Sequence, residues 1–342
     1  MVPIETRSSA AHIQSDPNSL PLTSYRARLQ QQIHRRKPRA MAKPRNIIIP
    51  VMGRTKAGKS SFINAAANLS ERDKLRVGRD LVSCTKELEV IEAPRAQLSE
   101  YPSLVSGHQL LFVDTPGFDD TDTSDYNTLQ LIASYLGESC RKGDILGGVL
   151  YLHDISRDDF MGSAKKNLQL FDQLCGEHSM FKVVLVTTKW ERETPRDDYG
   201  AREKELQDVH WKGMIDFGAT TMRLATEDHA SAIKIVDKAL ERLVDPDNRA
   251  RGLLFQVLHI QRELVAERKY LSQTNAAKLL LEQLEEMVEV QAALRRSAGQ
   301  GGAYEEVKVQ DEKLGKLEGE IKALRGTLIQ RTATFLKRFR RF

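Results

Sequence analysis

The chain has 342 residues, 40% of them apolar and 29% charged, and its 52 basic and 47 acidic side chains give a net charge of +5. No stretch approaches the ~18 uninterrupted apolar residues of a membrane span, and the N-terminus MVPIETRSSA lacks the apolar core of a secretory signal. The three cysteines, Cys84, Cys140 and Cys175, fit neither a disulfide framework nor a zinc site, so a reducing, cytoplasmic compartment is expected.

Charge is unevenly placed. Residues 1–46 hold nine basic and two acidic side chains and 331–342 hold five basic ones, which leaves 47–330 at −7. An acidic middle speaks against a nucleic-acid-binding core, and no specific nucleic acid is expected as a partner. Basic ends suit RNA, an anionic membrane or plain solvation.

In chain order, residues 1–45 carry five prolines with many Ser, Arg and Gln and no sustained apolar period, and read as a disordered basic tail. NIIIPVM (46–52) reads as a buried strand marred by Pro50, followed by a helix over 60–69. QLLFV (109–113), GVLYL (148–152) and KVVLV (182–186) read as further buried strands. Helices are expected at about 125–138, 163–175, 199–210 and 231–244, the last stopped by Pro246. This alternation predicts an α/β region over 46–245, a mostly parallel sheet with helices on both faces. From 251 to 296 strand signals cease. Leu253, Val257, Ile260, Leu264, Leu271, Leu281, Leu284 and Val288 predict a long helix with a coiled-coil-like seam, broken at Gly299, Gly301 and Gly302. A second charged helix is expected over 304–325. The helical region thus spans 246–325, and 326–342 forms a basic amphipathic end.

The first apolar strand runs into Gly53-Arg54-Thr55-Lys56-Ala57-Gly58-Lys59-Ser60, which fits G-x-x-x-x-G-K-[ST] between a strand and a helix, with Ser61 next. Its glycines let backbone N–H groups face phosphates, and the helix start adds its positive end. Lys59 would reach the β- and γ-phosphates and Ser60 would bind Mg²⁺. Asp114 ends a strand in LLFVDTPG, 54 positions after Ser60, where its carboxylate would hold Mg²⁺ while the Gly117 N–H meets the γ-phosphate. This D-x-x-G marks GTPases among P-loop proteins. Between the two motifs Thr85 is the candidate for a loop ordered by Mg²⁺ and γ-phosphate.

After the fourth strand, Thr188, Lys189 and Glu191 stand where GTPases place [NT]-K-x-D, with Glu191 as the carboxylate for guanine N1 and N2 and the Lys189 stem packing on the base. Gly218 and Ala219 are candidates for a backbone N–H to the guanine oxygen. Phe118 follows Gly117 where a water-orienting Gln would serve hydrolysis, Asp119 and Asp120 come next, and Arg54 or Lys56 could act as a built-in cation. His153 beside Asp154 admits acid–base work or a structural role, and Cys84 a redox-sensitive or a passive one. In LIQRTATFLKRFRRF, apolar and basic residues alternate at helical spacing. That suits a membrane interface, an acidic groove or a cap on the α/β region.

At GRTKAGKSSFIN, VGRDLVSCTKELEV, LLFVDTPGFDDTDTSDYNTLQLIASYL, GGVLYLHDIS, FDQLCG, VVLVTTKWE, GAREKEL and IQRELVAE the chain resembles the septin-like GTPases. These include septins and immunity-associated GTPases, and the closer likeness is to a mostly fungal set of G-domain proteins. The resemblance implies a P-loop G domain over 46–245 with a helical or coiled-coil tail and GTP, GDP and Mg²⁺ as ligands. Lys59, Thr85 and Gly117 would serve catalysis, and Ser60, Thr85 and Asp114 would hold the metal. The expected function is a GTP-binding switch with slow or partner-assisted hydrolysis, self-associating through the G domain or the C-terminal helices. Peripheral membrane contact through 326–342 is part of that expectation. A non-hydrolysing scaffold or a membrane-associated self-assembling protein is the alternative.

Overall fold

The computed structural model describes residues 45–70, 72–75, 88–94, 101, 108–119, 124–157, 160, 162–250, 255–300 and 304–325. The expected tail short of residue 45, Cys84, Thr85, Asp120, Leu253 and the segment 326–342 lie outside them.

Among the described residues seven strands form one sheet: β1 Asn46–Gly53, β2 Glu89–Glu92, β3 Gln109–Asp114, β4 Ile145–Leu146, β5 Val149–Asp154, β6 Val183–Thr188 and β7 Thr220–Arg223. Their order is β2-β3-β1-β5-β6-β7, with β4 also on β1. All pairs are parallel except β2 with β3. The four apolar runs became β1, β3, β5 and β6, the inner strands, which are covered on both faces and so need no polar alternation. The sequence reading missed β2, β4 and β7. EVIE and TTMR are edge strands that bury little, and β4 has only two residues.

Pro50 is tolerated for a local reason. On its β4/β5 side, β1 pairs Ile47 and Ile48 with β4 and resumes with β5 only at Val51, so the proline falls in a gap of the ladder. Gly147 makes the crossing there, and a Cβ on it would lie 2.7 Å from Ile47 Cγ2.

The helices that position the site are α1 Lys59–Ala66, α2 Asp125–Lys142, α3 Ser163–Cys175, α4 Tyr199–Glu205 and α5 His229–Val244. Ser124 caps α2 by accepting from Asn127 N at 3.2 Å, and Gly143 at φ +80° ends it. Asp228 caps α5 through Ser231 N at 2.8 Å. Pro246 opens a short helix of its own, Pro246–Ala250, a position that needs no N–H. One apolar core lies under α1 and α5, including Phe62, Ile63, Ile235 and Leu240. The other lies under α2 and α3, including Leu129, Leu136, Leu168 and Phe171, and extends into the C-terminal helices through Ile260, Leu280 and Leu284.

That extension corrects the expected long helix over 251–296. The chain forms a short helix His259–Gln261 that runs into a wide turn Arg262–Ala266, then a tight turn Leu271–Gln273, then α6 Asn275–Gln300. Ile260 and Leu264 pack on the α/β region, while Val288 shares a groove with Ile321 of the helix that follows α6. Gln261 Nε2 donates to Leu136 O at 2.9 Å, and Leu264 lies against Gly137. Glu263, wholly buried, fixes the break by accepting from Lys269 Nζ and Asn275 N, both at 3.1 Å. Gly299 does not interrupt α6, and 301–303 fall outside the described residues. The second expected helix is present as α7 Tyr304–Arg325.

Helices α6 and α7 form an antiparallel hairpin, since Arg295 pairs with Asp311 and Glu285 with Arg325. Only its root is docked. The buried residues of α6 are Ala276, Ala277, Leu280, Gln283 and Leu284, while Met287, Val290 and Leu294 beyond them are exposed. At the root Gln283 Nε2 donates to Lys166 O at 3.2 Å and Lys166 pairs with Glu286 at 3.2 Å. The Tyr126 N–H meets Glu320 Oε2 at 3.4 Å.

Lys182 gives the fold a pH signature. Its ammonium donates to Leu146 O at 3.1 Å and Gln256 O at 2.9 Å, and burial pushes its pKa down to about 7. The unfolded chain therefore binds one more proton than the folded chain between about pH 7 and the ordinary lysine range, and folding stability gains from this group as pH rises through that window. Urea unfolding from pH 7 to 9.5 should show Lys182→Met losing an upward slope of up to ~1.4 kcal/mol per pH unit relative to wild type. Equal slopes would show that the ammonium is solvated.

Candidate nucleotide-binding site

The site lies at the carboxyl ends of β1, β3, β5 and β6, where a parallel α/β sheet presents its loops. β1 turns at Gly53, with φ +138°, and a Cβ there would stand 2.2 Å from Leu152 O of β5. Lys56 and Gly58 follow at φ +67° and +90°, which curls the loop before α1. The N-terminus of α1 has no side-chain cap and no acidic residue in its first turn, so its positive end meets no carboxylate of its own and suits an anion. Ser61 lies in that first turn. Lys59 is 7% exposed and donates to Gly53 O at 3.1 Å and Arg54 O at 2.9 Å, which holds its ammonium over the loop.

The D-x-x-G loop closes against this one. Thr55 N donates to Phe118 O at 3.3 Å, and a Cβ on Gly117 would come within 2.3 Å of Thr55 N, so only glycine fits. Thr115 Oγ1 ties the loop to Val51 O at 2.8 Å. Ser60 Oγ donates to Asp114 Oδ2 at 2.6 Å. Asp114 Oδ1 is buried and has no hydrogen-bond partner among the described residues. Burial raises the Asp114 carboxyl above its usual range against the pull of Lys59 and Ser60. A hydroxyl and an under-coordinated carboxylate side by side fit a hard cation that takes its other ligands from phosphate and water, as Mg²⁺ does. Among the described residues no three His, Cys, Asp or Glu side chains gather into an all-protein metal site.

The base-reading loop is bound to the phosphate loop. Thr188 Oγ1 donates to Ala57 O at 2.9 Å. Lys189, at φ +64°, directs its ammonium to Lys56 O and to Asp154 Oδ2, the latter at 2.6 Å. Burial pushes the Asp154 carboxyl up, but bonds from Lys189 and Ser156 outweigh it and hold it below the usual range. Glu191 follows in a tight turn Trp190–Arg192 with its side chain about half exposed.

Two expectations change here, and one open alternative is decided. Arg54 does not face the cradle: its guanidinium is buried and bonds Asp119 Oδ2 at 2.7 Å and Ser163 Oγ at 2.9 Å, which also occupies Asp119. Its backbone still lines the loop. Gly218 and Ala219 lie before β7, at the amino end of the sheet, where Gly218 abuts Phe181 and Ala219 N bonds Met214 O at 3.0 Å. The loop that reaches the site from β7 is Leu224–Asp228, whose Glu227 Oε1 lies 3.7 Å from the Cβ position of Gly58. The signal for it was Asp228 as the cap of α5, which sets the end of a strand just before it. His153 and Asp154 form no acid–base pair, because Asp154 is taken by Lys189 while His153 packs against Phe160 and Trp211. The reading also missed Asp154 as the partner of Lys189, and Glu203 and Arg223 behind the loop. A polar residue bonded across strands leaves no sequence periodicity.

Residues 48–189 match the family model described as 50S ribosome-binding GTPase. No curated protein is significantly similar to the chain in sequence. Among solved structures, Toc33 from Arabidopsis thaliana in complex with GDP and Mg²⁺ is 16% identical, with 70% of this chain and 93% of that chain covered and a TM-score of 0.46. The same protein with Mg²⁺ and GMPPNP is 17% identical over 65% and 91%, at 0.42. A bacterial selenocysteine-specific elongation factor is 13% identical over 59% and 29%, at 0.38. The family match and the loop geometry coincide on the phosphate loop, Asp114, Gly117, Thr188 and Lys189. The chain therefore carries a P-loop GTPase G domain, a mostly parallel sheet with helices, followed by a helical C-terminal region.

Proposed function

We propose that the protein is a GTP-binding switch of the septin-like kind, Mg²⁺-dependent, with slow or partner-assisted hydrolysis. The observation that carries this is the convergence of Lys59, Ser60 and Asp114 on one cradle, with the orphaned Asp114 Oδ1 beside the Ser60 hydroxyl. Lys59 would exchange its two loop carbonyls for the β- and γ-phosphates, and the Gly117 N–H would meet the γ-phosphate. Ser60 and Asp114 would hold Mg²⁺, which supplies charge neutralisation of the transferring phosphoryl group. Glu191 and Lys189 would read guanine. Thr85, outside the described residues, completes the proposed metal set.

Phe118 favours the second reading, a nucleotide-binding scaffold without turnover. It is 2% exposed and packed into the core where a water-orienting side chain would be needed. The hairpin root touches α2 and α3 next to Phe118 and Asp119, which supports it as the part that responds to the nucleotide. Self-association and membrane contact through 326–342 belong to the same proposal, as does a cytoplasmic location. Among the described residues no helix is long and apolar enough to cross a membrane.

Calorimetry of the full chain with Mg²⁺ and GTP, GDP or ATP tests the reading. A guanine preference of more than about tenfold, ~1.4 kcal/mol, is expected, and phosphate release with saturating GTP then separates switch from scaffold. Equal affinity for GTP and ATP would overturn guanine recognition by Glu191.

A further inference from the structure

The segment GAREKEL (200–206) has no part in the phosphate chemistry, yet it lies directly behind the base-reading loop. Glu203 is 7% exposed on α4. It accepts from Thr187 Oγ1 at 3.1 Å and from Arg223 Nε of β7 at 2.7 Å. The Thr187 hydroxyl, having spent its one proton on Glu203, accepts from Trp190 Nε1 at 3.1 Å. The Arg223 guanidinium then covers the Trp190 ring at 4.2 Å. On the far side Trp190 meets Tyr199 edge-on at 6.1 Å, and Arg202 sits over Tyr199 at 5.1 Å. Arg202 closes the circuit by donating to Ile155 O and Ser156 O, both at 3.3 Å, in the loop that carries Asp154, the partner of Lys189.

The loop needs such support. Thr188 offers one hydroxyl where the GTPase pattern also admits an Asn amide with two donors and an acceptor, and that hydroxyl is engaged with Ala57 O. Lys189 holds a left-handed backbone, a conformation that persists only where its surroundings over-determine it. Resting on the reading of this site as a guanine site, we propose that Arg202, Glu203 and Arg223 are positioning residues for base recognition. They hold Trp190, and through it the turn that presents Glu191, in the register that meets guanine.

The test uses the full chain with Mg²⁺ and three probes: GTP, ITP, which lacks the 2-amino group, and inorganic tripolyphosphate. The Arg223 side chain is 53% exposed, so Arg223→Met should fold, and Arg223→Lys keeps a cation for Glu203 and Trp190. Arg223→Met and Glu203→Gln should each cut the GTP-over-ITP preference about tenfold with tripolyphosphate affinity unchanged. Arg223→Lys should recover part of the preference, and amide exchange over 188–192 should quicken in Arg223→Met. A plain loss of stability would instead weaken all three probes alike, and that result overturns the proposal. So does an unchanged GTP-over-ITP ratio in both Arg223→Met and Glu203→Gln, which leaves the guanine reading standing. A wild-type chain that binds GTP and ITP equally removes the guanine reading and the proposal with it.

Discussion

Lys59→Ala is expected to lower nucleotide affinity by about 100-fold, ~2.7 kcal/mol, while the melting temperature moves little. The ammonium is already gathered over the loop by two backbone carbonyls, Gly53 O and Arg54 O. Its place is thus set before any phosphate arrives, and binding only redirects bonds it already makes. Removing it takes away a charge-assisted contact to phosphate, and the two buried carbonyls it leaves lie beside Thr55, Lys56 and Gly58, the part of the loop that reaches the surface. Calorimetry with GTP and Mg²⁺ beside a thermal melt separates the two effects. A variant that melts far earlier would show that Lys59 holds the fold. One that keeps wild-type affinity would remove it from the phosphate site.

Gly53→Ala should be the more damaging change to the protein as a whole, costing ~4 kcal/mol of stability. Two causes add. The backbone is at φ +138°, a region reserved for glycine, and the new methyl group would meet Leu152 O at 2.2 Å. That carbonyl belongs to an inner strand and cannot move without disturbing β5. Gly58→Ala is the control: its φ of +90° is equally unsuited to a side chain, but the nearest atom would be 3.7 Å away. It should cost only the conformational part, ~1–2 kcal/mol. Urea unfolding of both variants tests the comparison. Equal losses would mean that the collision is relieved by the loop and that backbone conformation alone matters.

These two residues were legible in the sequence because the phosphate loop is a local device, in which spacing within eight positions fixes the chemistry. Asp114 and Gly117 were legible for a similar reason, since an apolar run ended at them. What the sequence concealed depends on contacts between distant segments. EVIE and TTMR carry no apolar run because an edge strand needs none, so β2 and β7 went unread. Without β7, Gly218 and Ala219 were placed at the base when they lie at the opposite end of the sheet. Arg54 belongs to the phosphate-loop motif, yet the direction of its side chain is decided by Asp119 and Ser163, 65 and 109 positions away. The seam from Val257 to Leu271 was correctly read as apolar, but its partner proved to be α2 and the core of the same chain. A helical period records that a face is buried and leaves open what buries it.

The hairpin's attachment by its root alone has a mechanical consequence. From Leu284 to Gln300 α6 runs 16 residues beyond its last buried side chain, about 24 Å at 1.5 Å per residue. A pivot of about 10° where Gln283 and Glu320 touch α3 and α2 would therefore carry the far end through about 4 Å. The protruding helices thus have the geometry of a lever, with its fulcrum where the root meets α2 and α3 and with their length setting the gain.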